Sequence, residues 1–475
     1  MNLTPRPYQS KVIADARSLL RTLKPQGRNP RIVLRMPAGA GKTATAAFIT
    51  HATLTNGGTA AFLAHRDFLI QQAGLTYDRV GIPYSYLASG KHTNKYMRCH
   101  LGMIGSMKSR QAIIKPPSLC IVDEGHHTPS KTWKAVLDAW PDTTFIALTA
   151  TPSFRSDGQG LDKLFDGIVH GPTEAELIEA KALSDYIWYA PSAPDLSKVH
   201  TRGGEYVTSE VDEEMSKAVI VADIVDSYRK YADGTIAVYF ASSVNTSKHY
   251  VERFNAAGIP AAHLDANSPP AERLRVIRSW AKGHIRIICN VGLFGEGFDA
   301  AAVSGEDITI ETVGLCRPTK SFPLLVQMAM RAMRAKTYPG IILDHAGCFA
   351  EHQWMPDDEI DWTLAGAAER AKREAWQCEA CGAMNKLTAK ECISCRSPKP
   401  IANRGAGEQR ELLHVDGDMI RIDREARKAA EAASKKGETQ ELAHLVSMAV
   451  KQGYKNPHEW AHGVVAQRMA AAYRR

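Results

Sequence analysis

Long apolar runs are missing from this chain. No stretch of about 18 apolar residues occurs, which argues against a membrane-spanning helix. The first residues carry Pro5 and Pro7 and no apolar core, so they do not read as a secretory signal. No segment recurs at a period of 20–50 residues, which argues against a solenoid or propeller. Cysteine is sparse, with nine in all, and four of them sit in one cluster: Cys378, Cys381, Cys392 and Cys395. The other five, Cys99, Cys120, Cys289, Cys316 and Cys348, are scattered, several inside apolar runs. An odd total with one tight cluster fits a reducing compartment and one metal site better than a disulfide framework. The excess of one charge sign is small: 59 Lys and Arg against 51 Asp and Glu, a net +8. That permits a polyanionic partner without requiring one. What is present is ordinary globular composition, 44% hydrophobic and 23% charged over 475 residues. At about 150 residues per domain the length suggests about three domains, and long disorder is excluded as the main theme.

Residues 1–170 alternate short apolar runs with helical patterns. The runs at 31–36 (RIVLRM), 60–64 (AAFLA), 119–122 (LCIV) and 144–148 (TFIAL) read as buried strands, each followed by a helix. That alternation predicts an α/β fold, a parallel sheet covered on both faces. Residues 171–350 repeat the style, with strands expected at 236–240, 285–289, 308–312 and 341–343. The segment 171–189, with TEAELIEAKAL, reads as a helical crossover between the two domains, and 201–208 as a small hairpin or loop. After residue 350 the texture changes to a polar helical connector (351–375), the cysteine cluster (376–398) and a basic helical tail (399–475).

Two constellations carry chemistry. Gly39-Ala40-Gly41-Lys42-Thr43 follows the RIVLRM strand and opens a helix. The glycines let backbone N–H groups face a phosphate, Lys42 reaches the β/γ-phosphates of a nucleotide, and Thr43 reaches a magnesium ion. The LCIV strand runs straight into Asp123-Glu124-Gly125-His126-His127. Both acids therefore fall at the carboxyl end of a strand, where open α/β sheets bind ligands. Asp123 would hold magnesium and Glu124 would polarise an attacking water. His126 and His127 lack a third ligand at metal-like spacing, so hydrogen bonding is the favoured role there.

Together these pieces resemble superfamily 2 helicases of the DEAD/DEAH-like kind, most of all the phage and bacterial type related to the ATPase subunits of restriction enzymes. Further motifs follow in that family's order. Arg6-Pro7-Tyr8-Gln9 resembles its adenine-reading element; Ala64-His65-Arg66 and Ser106 resemble its contacts to the nucleic-acid backbone; Thr149-Ala150-Thr151-Pro152 resembles the motif coupling nucleotide state to strand grip. In the second half, Phe240 and Asn290 fall in strand-contacting motifs, Gly297 and Asp299 in a nucleotide-side motif, and Gln327, Arg331 and Arg334 in the motif presenting arginines to the γ-phosphate. The resemblance implies two tandem RecA-like domains, ATP and Mg2+ at their interface, and catalytic roles for Lys42, Asp123, Glu124, His126, Gln327, Arg331 and Arg334. On a continuous helix those last three would share one face; equally, Met328, Met330 and Met333 could face a core. Three positions depart from the family's common residues: Ala38 for Thr, Met330 for Gly, and Ala300-Ala301-Ala302 for Pro.

The spacing Cys378-x2-Cys381-x10-Cys392-x2-Cys395 supplies four thiolates for a closed tetrahedral zinc site. With Trp376 and Asn385 it resembles the zinc finger of Ran-binding proteins, serving either as a staple or as a binding module. In the tail, Tyr454 and Trp460 either stack bases or anchor a small helical core. The expected partner is nucleic acid, DNA before RNA, with a protein partner through the finger or tail as a further expectation. The expected setting is the cytoplasm of a bacterium or phage-infected host, with no membrane association. Two functions fit: an ATP-driven helicase or translocase in replication, recombination or repair, and an ATPase switch or annealing clamp that does not unwind.

Overall fold

The computed structural model of the chain describes residues 3–152, 160–190, 200–202, 205–206, 208, 210–211, 224–295, 300, 304–306 and 308–365. Farther on it describes 375–377, 384–386, 390–391, 397–398, 419–422 and 424. Seven strands form the first sheet: β1 (Arg31–Arg35), β2 (Ala60–Ala64), β3 (Ser85–Leu87), β4 (Cys99–Met103), β5 (Leu119–Val122), β6 (Thr144–Thr149) and β7 (Gly167–His170). They run in the order β3-β4-β2-β5-β6-β1-β7, and every pairing is parallel. β1, β2 and β5 are buried along their whole length. This is why they read as unbroken apolar runs: helices cover both faces, so no side chain alternates into water. Trp133, Val136, Leu137 and Trp140 close one face over Val33, Leu63, Val122 and Phe145.

The order of this sheet decides where the chemistry falls. β5, β6 and β1 are adjacent, so the acid pair, the Thr-Ala-Thr-Pro segment and the phosphate loop all leave from neighbouring carboxyl ends. Helix α1 (Pro7–Thr22) has Pro7 at its first position, where a missing N–H costs nothing. Helices α2 (Lys42–Thr55) and α3 (Asp67–Val80) follow β1 and β2, and α3 ends on Gly81 in the left-handed conformation at φ 81°.

The second sheet is built from β8 (Tyr186–Ala190), β11 (Ala237–Ala241), β12 (Ala261–Asp265), β13 (Ile287–Val291), β14 (Thr312–Cys316) and β15 (Gly340–Asp344). Over residues 186–344 the order is β12-β13-β11-β14-β15-β8, and each of these pairings is again parallel. The short strands β9 (Thr201–Arg202) and β10 (Glu205–Tyr206) pair antiparallel, the hairpin of the two alternatives read from the sequence there.

Three expectations are corrected. The apolar run at 308–312 is not the strand; Ile308 and Ile310 are buried ahead of it, and β14 begins at Thr312. Gly314 sits inside β14 because a Cβ there would fall 2.3 Å from the Tyr239 ring. The crossover is helical only over Glu174–Glu179, and its end is strand β8 of the second sheet. The connector after the short helix Cys348–His352 is not helical over 353–365.

Both sheets lie in one compact unit, Met1–Lys372 with Arg410–Met419; a second unit comprises Arg373–Gln409 and Ile420–Arg475. In the second unit Ala375–Gln377 pairs antiparallel with Met384–Lys386, placing Trp376 opposite Asn385. Cys378, Cys381, Cys392 and Cys395 lie outside the described residues, as do Tyr454 and Trp460 and almost all of the tail. The five other cysteines are buried and free. No helix among the described residues is long and apolar enough to cross a membrane.

Two outcomes follow from this packing. A Cβ on Gly340 would lie 1.9 Å from the Ala332 carbonyl oxygen, so Gly340→Ala should destabilise the protein by about 2 kcal/mol or more, read as a lowered thermal midpoint. The second concerns Asp166, which accepts from Arg28 Nη2 at 2.6 Å, Arg28 Nη1 at 2.8 Å and the Arg31 N–H at 2.8 Å. Burial raises its pKa, but the Arg28 and Arg31 hydrogen bonds outweigh that and hold it below the ordinary carboxylate value. A depressed folded-state pKa contributes stability at neutral pH that is lost on acidification. The stability gap between wild type and Asp166→Asn should therefore be open at pH 7 and narrow as pH falls below about 4, measured by denaturant melts.

Candidate active site

The phosphate loop is shaped by two left-handed glycines, Gly39 at φ 84° and Gly41 at φ 79°, with Gly41 capping α2. Gly41 is exposed and Lys42 and Thr43 are half-buried, so the free N–H groups of the first turn are open to an anion. The loop is braced from behind. Gln9 Nε2 donates to the Gly41 carbonyl at 3.2 Å, and the Tyr8 hydroxyl donates to the Ala40 carbonyl at 3.2 Å. The Arg6 N–H donates to Gln9 Oε1 at 2.8 Å, so both ends of the buried Gln9 amide are engaged by the protein. In this arrangement Gln9 positions the loop; Arg6, beside Tyr8, remains exposed.

Asp123 and Glu124 lie at the end of β5 and are 7% and 5% exposed. Glu124 has φ 49°, a left-handed conformation that a side chain rarely adopts and that marks stored strain. Gly125 follows because a Cβ there would meet Ala147 at 2.6 Å. Burial, then repulsion from Glu124, pushes Asp123 above the ordinary carboxylate range; Lys42 pulls it back. Glu124 Oε2 makes no hydrogen bond among the described residues. Thr43 and Asp123 offer hard oxygen donors beside this excess of buried negative charge, a set that suits magnesium.

From the acids a polar chain leads outward. His126 Nδ1 stands 3.5 Å from Glu124 Oε2 and is hydrogen-bonded with Thr149 Oγ1 at 3.0 Å, which also accepts the Thr151 N–H at 3.1 Å. The His126 and His127 rings are 4.2 Å apart, and His127 and His65 4.8 Å. Next to His65, Arg66 Nη1 donates across to the Gly292 carbonyl of the second sheet's half at 3.3 Å.

The arginine segment differs from its expected geometry. The α-helix Phe322–Ala329 gives way to a 3-10 turn at Met330–Met333, and Arg334 is extended at φ −56°, ψ 144°. Gln327, Arg331 and Arg334 therefore do not share one α-helical face. Met328, Met330 and Met333 are buried, so the methionines do face the core. Arg331 donates to the Gly295 carbonyl, and Gln327 Oε1 is buried without a hydrogen bond among the described residues. Leu183 joins this segment to the phosphate loop: its backbone bridges Arg334, and its Cδ2 lies 2.9 Å from where a Gly39 Cβ would be. The adjacent Ser184 N–H donates to the Met333 carbonyl at 3.0 Å. Nothing in the local sequence marks Leu183; a leucine in a connector carries no motif.

Of the expected strand contacts, only His65 and Arg66 are half-exposed. Ser106, Thr149, Thr151, Phe240 and Asn290 are buried. Asn290 donates to the Tyr239 carbonyl at 3.0 Å and accepts the Phe294 N–H at 3.1 Å. Thr149 and Asn290 are thus hydrogen-bonded to partners inside the protein. Gly297 and Asp299 lie outside the described residues.

Comparison with known proteins agrees with this layout. The family model "Type III restriction enzyme, res subunit" matches residues 2–154, and "Helicase conserved C-terminal domain" matches 216–336. "Zn-finger in Ran binding protein and others" matches 372–401. A "51.5 kDa protein" of a Lactococcus phage is 31% identical over 411 residues, 85% of this chain and 85% of its own length. A Saccharomyces cerevisiae protein named as an ATP-dependent helicase, IRC3, is 27% identical over 229 residues, covering 46% of this chain and 32% of its own. Among solved structures, the ATP-dependent Type ISP restriction-modification enzyme LlaBIII bound to DNA matches in fold, with a TM-score of 0.51 and 16% identity. That match covers 72% of this chain and 28% of the enzyme. The chain thus spans about a third or less of the yeast protein and of the restriction enzyme. With two parallel α/β sheets, a phosphate loop and an acid pair at the carboxyl ends of β1 and β5 on either side of β6, and helicase family models on both halves, the chain belongs to the superfamily 2 helicases, ATP-hydrolysing enzymes of tandem RecA-like domains.

Proposed function

We propose that the protein is an ATP-dependent helicase or translocase acting on DNA, in which ATP hydrolysis between the two halves moves a nucleic-acid strand. The observation that carries this reading is the double link between the halves: Leu183 between Gly39 and Arg334, and Arg66 to Gly292. A change at the nucleotide is thereby tied to both the arginine turn and the half-exposed His65–Arg66 edge. Lys42 and the α2 N-terminus bind the phosphates, Glu124 orients the attacking water, and Arg331 and Arg334 neutralise developing charge once the halves close. Thr43 and Asp123 would hold magnesium, which supplies charge neutralisation on the phosphates. His126 reports the state of Glu124 to Thr149 and Thr151. DNA is preferred because the restriction enzyme sharing the fold is bound to DNA.

The four thiolates of Cys378, Cys381, Cys392 and Cys395 suit one zinc ion, with the first pair in the link between the paired strands Ala375–Gln377 and Met384–Lys386. The finger and tail would then recruit nucleic acid or a protein to the motor.

The test is steady-state ATP hydrolysis with single-stranded DNA, duplex DNA, forked DNA and RNA, beside strand displacement on the fork. DNA should stimulate turnover and the fork should be unwound; turnover without displacement would favour the annealing clamp. Lys42→Ala and Glu124→Gln should each lower kcat by about 100-fold or more, and a near-normal rate in Glu124→Gln would remove it from the chemistry. Metal analysis of untagged protein should give one zinc per chain, and Cys381→Ser should lose it; metal-free wild-type protein would contradict the zinc site.

A further inference from the structure

Among the described residues the chain leaves the first sheet for the second over residues 171–185 and comes back against the first over 353–365. Both passages meet at one side chain. Arg35 is the last residue of β1, two positions before Pro37 opens the phosphate loop. Its carbonyl accepts the Gly171 N–H at 2.7 Å, where the outward passage begins. Its guanidinium donates to Glu174 Oε1 at 2.6 Å and Oε2 at 2.8 Å, and to the Pro172 carbonyl at 3.3 Å. The Cζ of the same guanidinium lies over the Trp362 ring, 4.9 Å from its centre, on the returning passage. One guanidinium thus holds a carboxylate, a carbonyl and an indole ring at once from separate atoms, which the single nitrogen of a lysine does not match.

The returning passage is tied at both ends. The Leu364 carbonyl accepts the Leu161 and Asp162 N–H groups at 2.7 and 2.9 Å, and its side chain packs on the first core. At the other end the Tyr186 hydroxyl donates to Asp357, and Trp354 meets Trp188 edge-on at 6.3 Å. Between these ties Trp362 and Trp354 contact Phe322, at 6.3 and 5.3 Å. Phe322 is the first residue of the helix that leads into the arginine turn.

The side chains of Arg35 and Glu174 are only 4% and 7% exposed. Burying such a pair adds little net stability, because desolvation offsets the attraction; its attested use is to fix one arrangement against others. We propose that Arg35, Glu174 and Trp362 form a hinge anchor that sets the position of the Phe322 helix relative to the phosphate loop. These residues touch no reacting atom and act as positioning residues. Rotation of one half against the other pivots at Arg35, and the Trp362–Phe322 contact carries that rotation to the arginines. The inference rests on the assignment of Arg331 to hydrolysis made above.

The test uses the full-length protein and ATP alone, so it does not depend on which nucleic acid is the partner. Trp362→Ala and Arg35→Lys should lower kcat by about tenfold or more, with KM for ATP and the binding stoichiometry of a non-hydrolysable ATP analogue within about twofold of wild type. Trp362→Phe, which keeps an aromatic face, should recover most of the rate. A kcat within twofold of wild type in Trp362→Ala, or a loss in Trp362→Phe as deep as in Trp362→Ala, would overturn the anchor. If Trp362→Ala fails to fold, Arg35→Lys and Trp362→Phe decide by the same criteria. Arg331→Ala separates the two ideas: an unchanged rate there, beside a loss in Trp362→Ala, strikes the arginine assignment alone.

Discussion

Two carboxylates buried side by side at the end of β5 set the terms for everything around them. Asp123 and Glu124 have left water without leaving each other, and burial, with repulsion from Glu124, makes the ionised form of Asp123 costly. Such a pair persists only where surrounding groups compensate and hold it in place. Lys42 arrives from the end of β1 beyond β6, His126 stands against Glu124, and Gly125 lets the turn press onto β6. The strand order β5-β6-β1 delivers these groups to one place, and the unbroken apolar strands make the platform rigid enough to hold a left-handed glutamate.

Rigidity in the first half is matched by jointed connections to the second. Leu183, Arg66 and Arg35 each reach across to, or receive, a segment that belongs to the other half or leads to it. The Leu183 and Arg66 contacts are single and small, whereas Arg35 is held by a buried carboxylate. In the proposed mechanism these three points direct the motion of one half against the other.

Much of this was legible in the sequence because it is local. The phosphate loop and acid pair are contiguous residues at strand ends, and buried parallel strands announce themselves as continuous apolar runs. What was not legible depends on contacts between distant segments. The arginine segment reads as one helix, yet it tightens into a 3-10 turn where Ala332 presses on Gly340 and Ser184 holds Met333. The strand at 312–316 begins past the apolar run, and its Gly314 is the residue that lets it lie against the Tyr239 ring, a contact with a distant segment. Thr149 and Asn290 carry the motif identities of strand contacts and have hydrogen-bond partners inside the protein. Arg35 and Trp362 are 327 positions apart in the numbering (362 less 35), and no periodicity could pair them.

The proposed mechanism has nucleotide binding move the arginine turn onto the phosphate loop. A crystal structure with Mg2+, a non-hydrolysable ATP analogue and single-stranded DNA would show this movement. Arg331 should leave the Gly295 carbonyl and, with Arg334, face the terminal phosphate, while Arg35 keeps Glu174 and Trp362. Nucleotide seated on Lys42 with Arg331 still on Gly295 and the two halves unmoved would contradict it.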